Sequence, residues 1–101
     1  MLKVEYSKDG IVLSDHEAYN FVRNTIRNYS NTGPDVHVVV ANELTITAFR
    51  VAVKRKEIPH DQIQFMFENY GMNVDKGGRI DHWPRGFCDF NDNFLSTLLD
   101  M

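Results

Sequence analysis

The run "VHVVVA", residues 36–41, constrains the fold more than any other stretch of this sequence. It is almost entirely β-branched, and such side chains fit the pleated surface of a sheet. An apolar strand that does not alternate with polar residues is typical of a strand covered on both faces. We therefore expect residues 36–41 at the centre of a sheet.

Amphipathic segments lie on both sides of this run. Before it, "DHEAYNFVRNTIRNYS" places one apolar stripe at helical spacing, with Ser14 or Asp15 as the N-cap and Glu17 in the first turn. After it, residues 42–58 fit either a helix or the second arm of a hairpin. Asn42 as a cap and the cations of residues 54–56 favour the helix, because they complement its dipole. The inward stripe of this second helix is then Leu44, Ala48, Phe49, Ala52 and Val53.

The remaining segments complete an α/β (α+β) pattern. "LKVEY" alternates as a strand, and "KDG" leads into "IVLS" either as a hairpin or as a bent continuation. "IPHD" is a predicted turn, "QIQFMFE" a strand, "YGMNVDKGGRIDHW" a strand broken by a Gly-Gly turn, and "NDNFLSTLLDM" a short helix. The order β-α-β-α-β-β-α predicts one domain, residues 1–101, with helices packed on a single small sheet.

The composition of the sequence limits the kinds of partner that we expect. The net charge of −3 provides no basic field for nucleic acid, so we expect none as a partner. No apolar run has the length needed to span a membrane, and no signal-peptide pattern precedes the first strand. With one cysteine the chain forms no internal disulfide. We expect a cytoplasmic bacterial protein without membrane contact.

Catalytic and cofactor motifs are scarce. Neither a P-loop nor a G-x-G-x-x-G turn is present, so a nucleotide would have to bind in another manner, and we predict no cofactor. The four histidines have no metal-ligand spacing, which predicts no metal site. His82 and Cys88 are the one pair that suggests a small enzyme, but a lone cysteine between two phenylalanines is more typical of a buried hydrophobe. The main expectation is therefore a protein that is not an enzyme.

The stretch "GGRIDHWPRGFCDFND", residues 77–92, suggests a binding surface. Trp83 beside Arg85 is a composition common in interaction hot spots, although packing of Trp83 on the core is the simpler interpretation. Arg79 and Arg85 have nearby aspartates as partners. The candidate binding residues are Trp83, Arg85, Arg79, His82 and Asn42.

Several of these pieces resemble one family. "VHVVVAN", "ELTITAFRVAVKRKEI", "PHDQIQFMFE" and "GRIDHWPRGF", within residues 36–89, resemble in order and spacing the C-terminal segment of bacterial ABC-type ATPases related to the overcoming-lysogenization-defect proteins. The family's Thr-His-Ser motif falls on Val40, Ala41 and Asn42, so its phosphate-sensing histidine has no counterpart here. The ATP-binding motifs that precede it in the family also have none. The resemblance implies fold and ancestry, and it argues against ATP hydrolysis.

Three functions follow as hypotheses. The first is a non-catalytic protein-interaction module derived from the terminal part of such an ATPase, as an accessory subunit of a phage-defence-like system or in self-association. The second is a small-molecule or nucleotide-binding protein that uses the crevice after the central strand. The third is a small enzyme that uses His82 and Cys88.

Overall fold

The computed structural model describes residues 1–32 and 35–81, in which strands and helices follow the predicted order. The strands are β1 (Leu2–Ile11), β2 (Val36–Val40), β3 (Ile63–Phe67) and β4 (Tyr70–Asn73); the helices are α1 (Asp15–Thr32) and α2 (Glu43–Lys54). A short 3-10 helix, His60–Gln62, follows Pro59 at the predicted turn. The order β-α-β-α-β-β confirms the α/β class. The predicted final helix, "NDNFLSTLLDM", lies outside the described residues.

The sheet has the order β2-β1-β3-β4. Strand β1 pairs in parallel with both β2 and β3, and β3 pairs with β4 as an antiparallel hairpin. The prediction that residues 36–41 form the central strand is therefore wrong, because β1 occupies that position and β2 lies at the edge. The apolar composition of β2 correctly predicts a strand, but the strand is only half-buried over most of its length.

The hydrophobic core lies on one face of the sheet, and both helices cover that face. Leu2, Val4 and Phe65 on the sheet are fully buried beneath the helices. Phe21 of α1 meets Phe49 of α2 edge-on, with ring centroids 6.4 Å apart. In the sheet, β2 lies on one side of β1 and β3 lies on the other. The connection β1-α1-β2 and the connection β2-α2-β3 therefore run in opposite directions over the same face, so these two crossovers have opposite hands. One of them departs from the right-handed rule for parallel strands.

Helix α1 begins with a reciprocal cap. The Glu17 backbone N–H donates to Ser14 Oγ at 3.3 Å, and the Ser14 N–H donates to Glu17 Oε1 at 3.1 Å. Ser14 is therefore the N-cap, one of the two residues predicted for that role. The hydrogen bonds from Ser14 to the carboxylate lower the pKa of Glu17 below its ordinary value of 4.5.

The cap makes part of the stability dependent on pH. Because the folded-state pKa of Glu17 is lowered, its contribution is present above about pH 4.5 and is lost as the pH falls through the folded-state pKa. We expect Glu17→Gln to be less stable than the wild type near neutral pH and the difference to shrink on acidification. Urea unfolding at several pH values measures this; a difference that is constant with pH would exclude the carboxylate as its source. Ser14→Ala should cost about 1 kcal/mol.

Strand β1 continues through "KDG" as a bent strand, which is one of the two predicted alternatives. Tyr6 and Ile11 both align with Val40, so the chain between them makes an excursion from the ladder. The Ala41 N–H donates to the Ile11 carbonyl at 2.9 Å. Because the Val36 N–H bonds to the Met1 carbonyl and backbone groups alternate along a strand, the Ala41 N–H faces away from the first part of β1, so Ile11 lies against the outer side of β2. Gly10 permits the close approach, because a Cβ atom there would lie 2.6 Å from the Val40 carbonyl carbon.

The segment after β2 is a helix, as favoured by its caps and charges, but two details differ from prediction. Asn42 is at the N-cap position without a capping hydrogen bond from its side chain. Its amide instead accepts from the Leu13 N–H and donates to the Leu13 carbonyl, both at 2.7 Å, and so pairs backbone groups where β1 ends. Leu44, predicted on the inward stripe, is 38% exposed, whereas Ile46 is fully buried. The buried face of α2 is therefore rotated from the predicted one.

Candidate functional site

The outer side of β2 is an edge of the sheet, and we call the backbone of Val36–Val40 on the side away from the first part of β1 the β2 edge. The Val36 N–H donates to the Met1 carbonyl at 3.2 Å, which turns the backbone groups of Val36 toward β1. Because these groups alternate along a strand, those of His37 and Val39 point outward. The Ala41 N–H points to the same outward side, and it donates to the carbonyl of Ile11, which aligns with Val40. Ile11 therefore covers the C-terminal end of the β2 edge, and the part with which no described strand pairs is residues 36–38.

The side chains of β2 differ between its two faces. Val36, Val38 and Val40 pack on the hydrophobic core beneath the helices. On the opposite face, His37 is exposed, and its Nε2 lies 2.9 Å from Glu5 Oε1 of the neighbouring strand. His37 is thus a paired structural histidine, as predicted, although on an exposed face. The β2 edge therefore combines outward backbone groups with an apolar row on one face.

The opposite edge of the sheet is partly covered. After β4 the chain turns at Asp75–Gly78 and returns, so that Val74 forms a bridge with Ile80. The Asp81 N–H donates to the Asn73 carbonyl, and the Asp81 carboxylate accepts from the Asn73 N–H at 3.1 Å. This return occupies backbone groups that would otherwise lie at the β4 edge. The β2 edge is covered only at its C-terminal end, by Ile11, and among the described residues no strand pairs with it at His37.

A crevice of about 800 Å³ lies where the parallel strands end. The stacked rings of Tyr6 and Phe67, with centroids 5.9 Å apart, form one wall, and Ala41 after β2 lines another part. The carboxylates of Glu5, Asp9 and Glu68 outnumber the single cation, Lys8, among its lining residues. We call this space the carboxyl-end crevice. Its location matches the ligand position predicted for an open α/β sheet.

The turn between β3 and β4 holds one of these acids in an unusual backbone conformation. Glu68 and Asn69 have φ values of 51° and 66°, and they form a two-residue turn between the paired Phe67 and Tyr70. Such hairpin turns favour Asn-Gly, so a glutamate at the first position has a conformational cost. The turn fixes Glu68 at the rim of the crevice.

The structure separates the two predicted binding residues that it describes. Asn42 is half-buried near the carboxyl ends of the parallel strands and bonds to Leu13. Arg79 is exposed beyond β4; its backbone N–H donates to the Asp75 carboxylate at 3.0 Å, in a turn completed by Gly78 at φ 80°. That turn lies near the amino ends of β1 and β3, so the two residues do not form one site. Trp83, Arg85 and His82, like Cys88, lie outside the described residues.

The basic group of α2 is not a uniform charged surface. Arg50 is only 3% exposed, and its Nε donates to the Gly78 carbonyl at 2.7 Å. It ties the helix to the turn after β4 and so has a structural role. Lys54 lies in the last helical turn, where a cation is favoured by the dipole. Lys56 follows the helix at φ 63° as its left-handed terminal residue.

Neither β2 nor the carboxyl-end crevice holds an evident metal centre. Across residues 1–32 and 35–81, no set of three His, Cys, Asp or Glu side chains is grouped to hold a metal ion. Neither α1 nor α2, the helices described there, combines the length and the apolar composition that a membrane span requires.

Comparison with known proteins finds no matching family model, no matching curated protein and no matching solved structure. The resemblance to the C-terminal segment of ABC-type ATPases therefore stays a prediction. Function has to be inferred from the geometry of the β2 edge and the carboxyl-end crevice.

Proposed function

We propose that this protein is a non-catalytic protein-interaction module that binds an extended polypeptide segment at the β2 edge. The observation that supports this most is the position of β2, since a strand with the composition of a buried strand lies at a sheet edge that no described strand pairs with along residues 36–38. Natural sheets usually protect such edges with charge, proline or a covering segment. Among residues 36–40, His37 is the only charge-capable side chain, and none is a proline.

The chemistry of the β2 edge defines the kind of segment that fits. The outward N–H and C=O groups of His37 bind the backbone of an added strand, as in other cases of strand addition. Ile11, which covers the edge beside Val40, marks where the added strand ends. The half-buried Val36 and Val38 favour an apolar, β-branched side chain opposite them, which extends the core face. The partner segment is therefore an extended strand with alternate apolar side chains.

The resemblance to the ATPase segment supports the class of partner. On that resemblance, the partner is an ATPase or nuclease of a phage-defence-like system, of which this protein is an accessory subunit, or a second copy of this chain. The pair Trp83 and Arg85 remains a second proposed contact of that interface.

A charge placed at the β2 edge tests the proposal. The probe is a fluorescent peptide with the sequence of residues 35–41, flanked by lysines, and its anisotropy is measured against the full chain. We expect Val39→Lys to weaken binding at least about tenfold, or ~1.4 kcal/mol, because edge lysines disfavour an added strand. Tyr70→Lys, on β4, is the matched control and should bind the peptide normally. Absence of peptide binding by the wild type, or equal loss in both variants, would contradict the proposal.

A second candidate function is small-molecule binding in the carboxyl-end crevice, favoured by its position at the ends of three parallel strands. The excess of carboxylates disfavours nucleotide phosphates and favours a ligand with positive charge. The wall of Tyr6 and Phe67 suits an organic cation, which aromatic faces attract.

Thermal unfolding with ATP and with spermidine as probes separates these ligand classes. A ligand at about a hundred times its Kd adds about 2.7 kcal/mol to stability, which is a measurable shift in Tm. We expect a shift with spermidine that Glu68→Gln reduces, and none with ATP. A shift in Tm with ATP alone would show that the carboxyl-end crevice prefers an anionic ligand. No shift with either probe would contradict small-molecule binding in this crevice.

A further inference from the structure

A cavity of about 330 Å³ lies between the segment that follows α2 and the turn that follows β4, and we call it the lysine cavity. It is remote from the carboxyl-end crevice, because its lining precedes β3 and follows β4. From its lining we propose that the lysine cavity binds a small organic anion, a phosphate monoester of an apolar group. An apolar part and a basic part make up that lining: Val53, Ile58 and Pro59, and Lys56, His60 and Lys76.

The charge of this lining is opposite to that of the chain. The protein carries a net charge of −3, yet no carboxylate belongs to the described residues that line the lysine cavity. Two acids that adjoin the basic residues in sequence line other spaces. Glu57 lines the groove between α1 and α2, and Asp61 lines the space at the amino ends of β1 and β3. The lysine cavity therefore has an excess of positive charge, which favours an anion.

The end of α2 fixes the backbone position of Lys56. With a φ of 63°, Lys56 is the left-handed residue that follows the helix. Its N–H donates to the Val53 carbonyl at 3.0 Å, and the Glu57 N–H donates to the Ala52 carbonyl at 2.9 Å. These two bonds form a Schellman motif, which closes the helix. The ammonium group of Lys56 can therefore adjust to a ligand while its backbone stays in place.

The turn after β4 fixes Lys76 in a similar way. The Asp75 carboxylate accepts from two N–H groups of this turn, at 2.8 and 3.0 Å, so the acid beside Lys76 is engaged by the backbone. The buried Arg50 donates from its Nε to the Gly78 carbonyl at 2.7 Å and ties the turn to α2. The two lysines therefore stand on two fixed turns that α2 connects.

The rest of the lining defines the ligand further. Two lysine ammonium groups act as point charges and favour a phosphate monoester, which carries a charge of about −2 near neutral pH, over a monovalent carboxylate. The half-buried His60 adds a ring N–H as a donor. The apolar part, with Val53 and Ile58 at its base, favours an apolar group on the same ligand because that group then leaves water.

Phenyl phosphate is the probe, and its binding to the full chain is followed by the amide shifts of a proton–nitrogen NMR titration. We expect saturable shifts at Lys56, His60 and Lys76. Inorganic phosphate lacks the apolar group and benzoate lacks one charge, so each should bind at least about fivefold more weakly. Shifts confined to other residues, no saturable shift, or equal binding by either comparison anion would overturn the proposal.

Variants of the two lysines locate the charge that binds. Lys56→Asn and Lys76→Gln each remove one cation, and asparagine also tolerates the left-handed conformation of Lys56. Each should raise the Kd of phenyl phosphate about fivefold. Lys8→Gln, in the carboxyl-end crevice, makes the same change in net charge and should leave the Kd unchanged. Equal weakening in all three, or no weakening in either cavity variant, would contradict the site. The peptide of residues 35–41 tests the β2 edge separately, so failure of the lysine cavity would leave that proposal standing.

Discussion

Phe49→Ala is expected to lower the free energy of unfolding by about 4 kcal/mol, because it removes a large side chain from the centre of the core. Phe49 is 0% exposed and meets Phe21 edge-on at an interplanar angle of 89°. It joins α2 to α1, so its truncation leaves a cavity between the two helices. Urea unfolding followed by far-UV circular dichroism measures the change.

Leu44→Ala is the matched control on the same helix. Leu44 belongs to the predicted apolar stripe but is 38% exposed in the structure, so its truncation should cost less than about 1 kcal/mol. Comparable losses in the two variants would mean that the predicted face of α2, rather than the observed one, packs on the core.

Gly10→Ala should destabilise the protein by about 3 kcal/mol, near the upper end for an added methyl group that cannot be accommodated. The new Cβ would lie 2.6 to 2.8 Å from backbone atoms of Val39 and Val40, and backbone cannot move aside as a flexible side chain can. The bend of β1 and its return to β2 would have to shift. Thermal and urea unfolding of the variant give the value.

Gly77→Ala is the corresponding control. A Cβ at Gly77 would lie 3.4 Å from the Asp75 carboxylate, which is an ordinary contact. We expect a change within about 0.5 kcal/mol. If Gly10→Ala were equally mild, the close approach of β1 to β2 would not exist in solution.

The individual helices and strands could be predicted from the sequence, because each depends mainly on residues that are close together along the chain. The stripe of α1, the N-cap at Ser14 or Asp15, and the alternation of Ile63, Phe65 and Phe67 each specify one element by its own chemistry. The reciprocal bond between Ser14 and Glu17 is seen only in the structure. The ambiguity at residues 42–58 was correctly resolved toward the helix by charges at its ends, since these interact with the helix dipole whatever the tertiary contacts.

Strand order could not be predicted in the same way. The composition of β2 predicts a strand with apolar neighbours, but it does not predict on which side of β1 this strand pairs. That choice depends on the hands of two crossovers, and here one departs from the usual rule. The same limit applies to the interaction of Asn42 with Leu13, since residues 29 positions apart in sequence are brought together only by the completed sheet.

The candidate site was predicted in part. A crevice after β2 follows from the general rule for parallel strands, and it is present. Its acidic lining was missed, because Glu5, Asp9 and Glu68 are far apart in sequence. One available signal was "FENY", in which two polar residues between aromatic ones form the tight turn that places Glu68 at the rim.

Amide hydrogen exchange, read residue by residue on dilute full-length protein, tests the open β2 edge most directly. We expect fast exchange at His37, whose N–H group points outward, and slow exchange at Val38 and Val40, whose N–H groups bond to β1. Addition of the strand peptide should protect the His37 amide. Slow exchange at His37 in the protein without the peptide would show that the edge is already covered there and would contradict the proposed binding site.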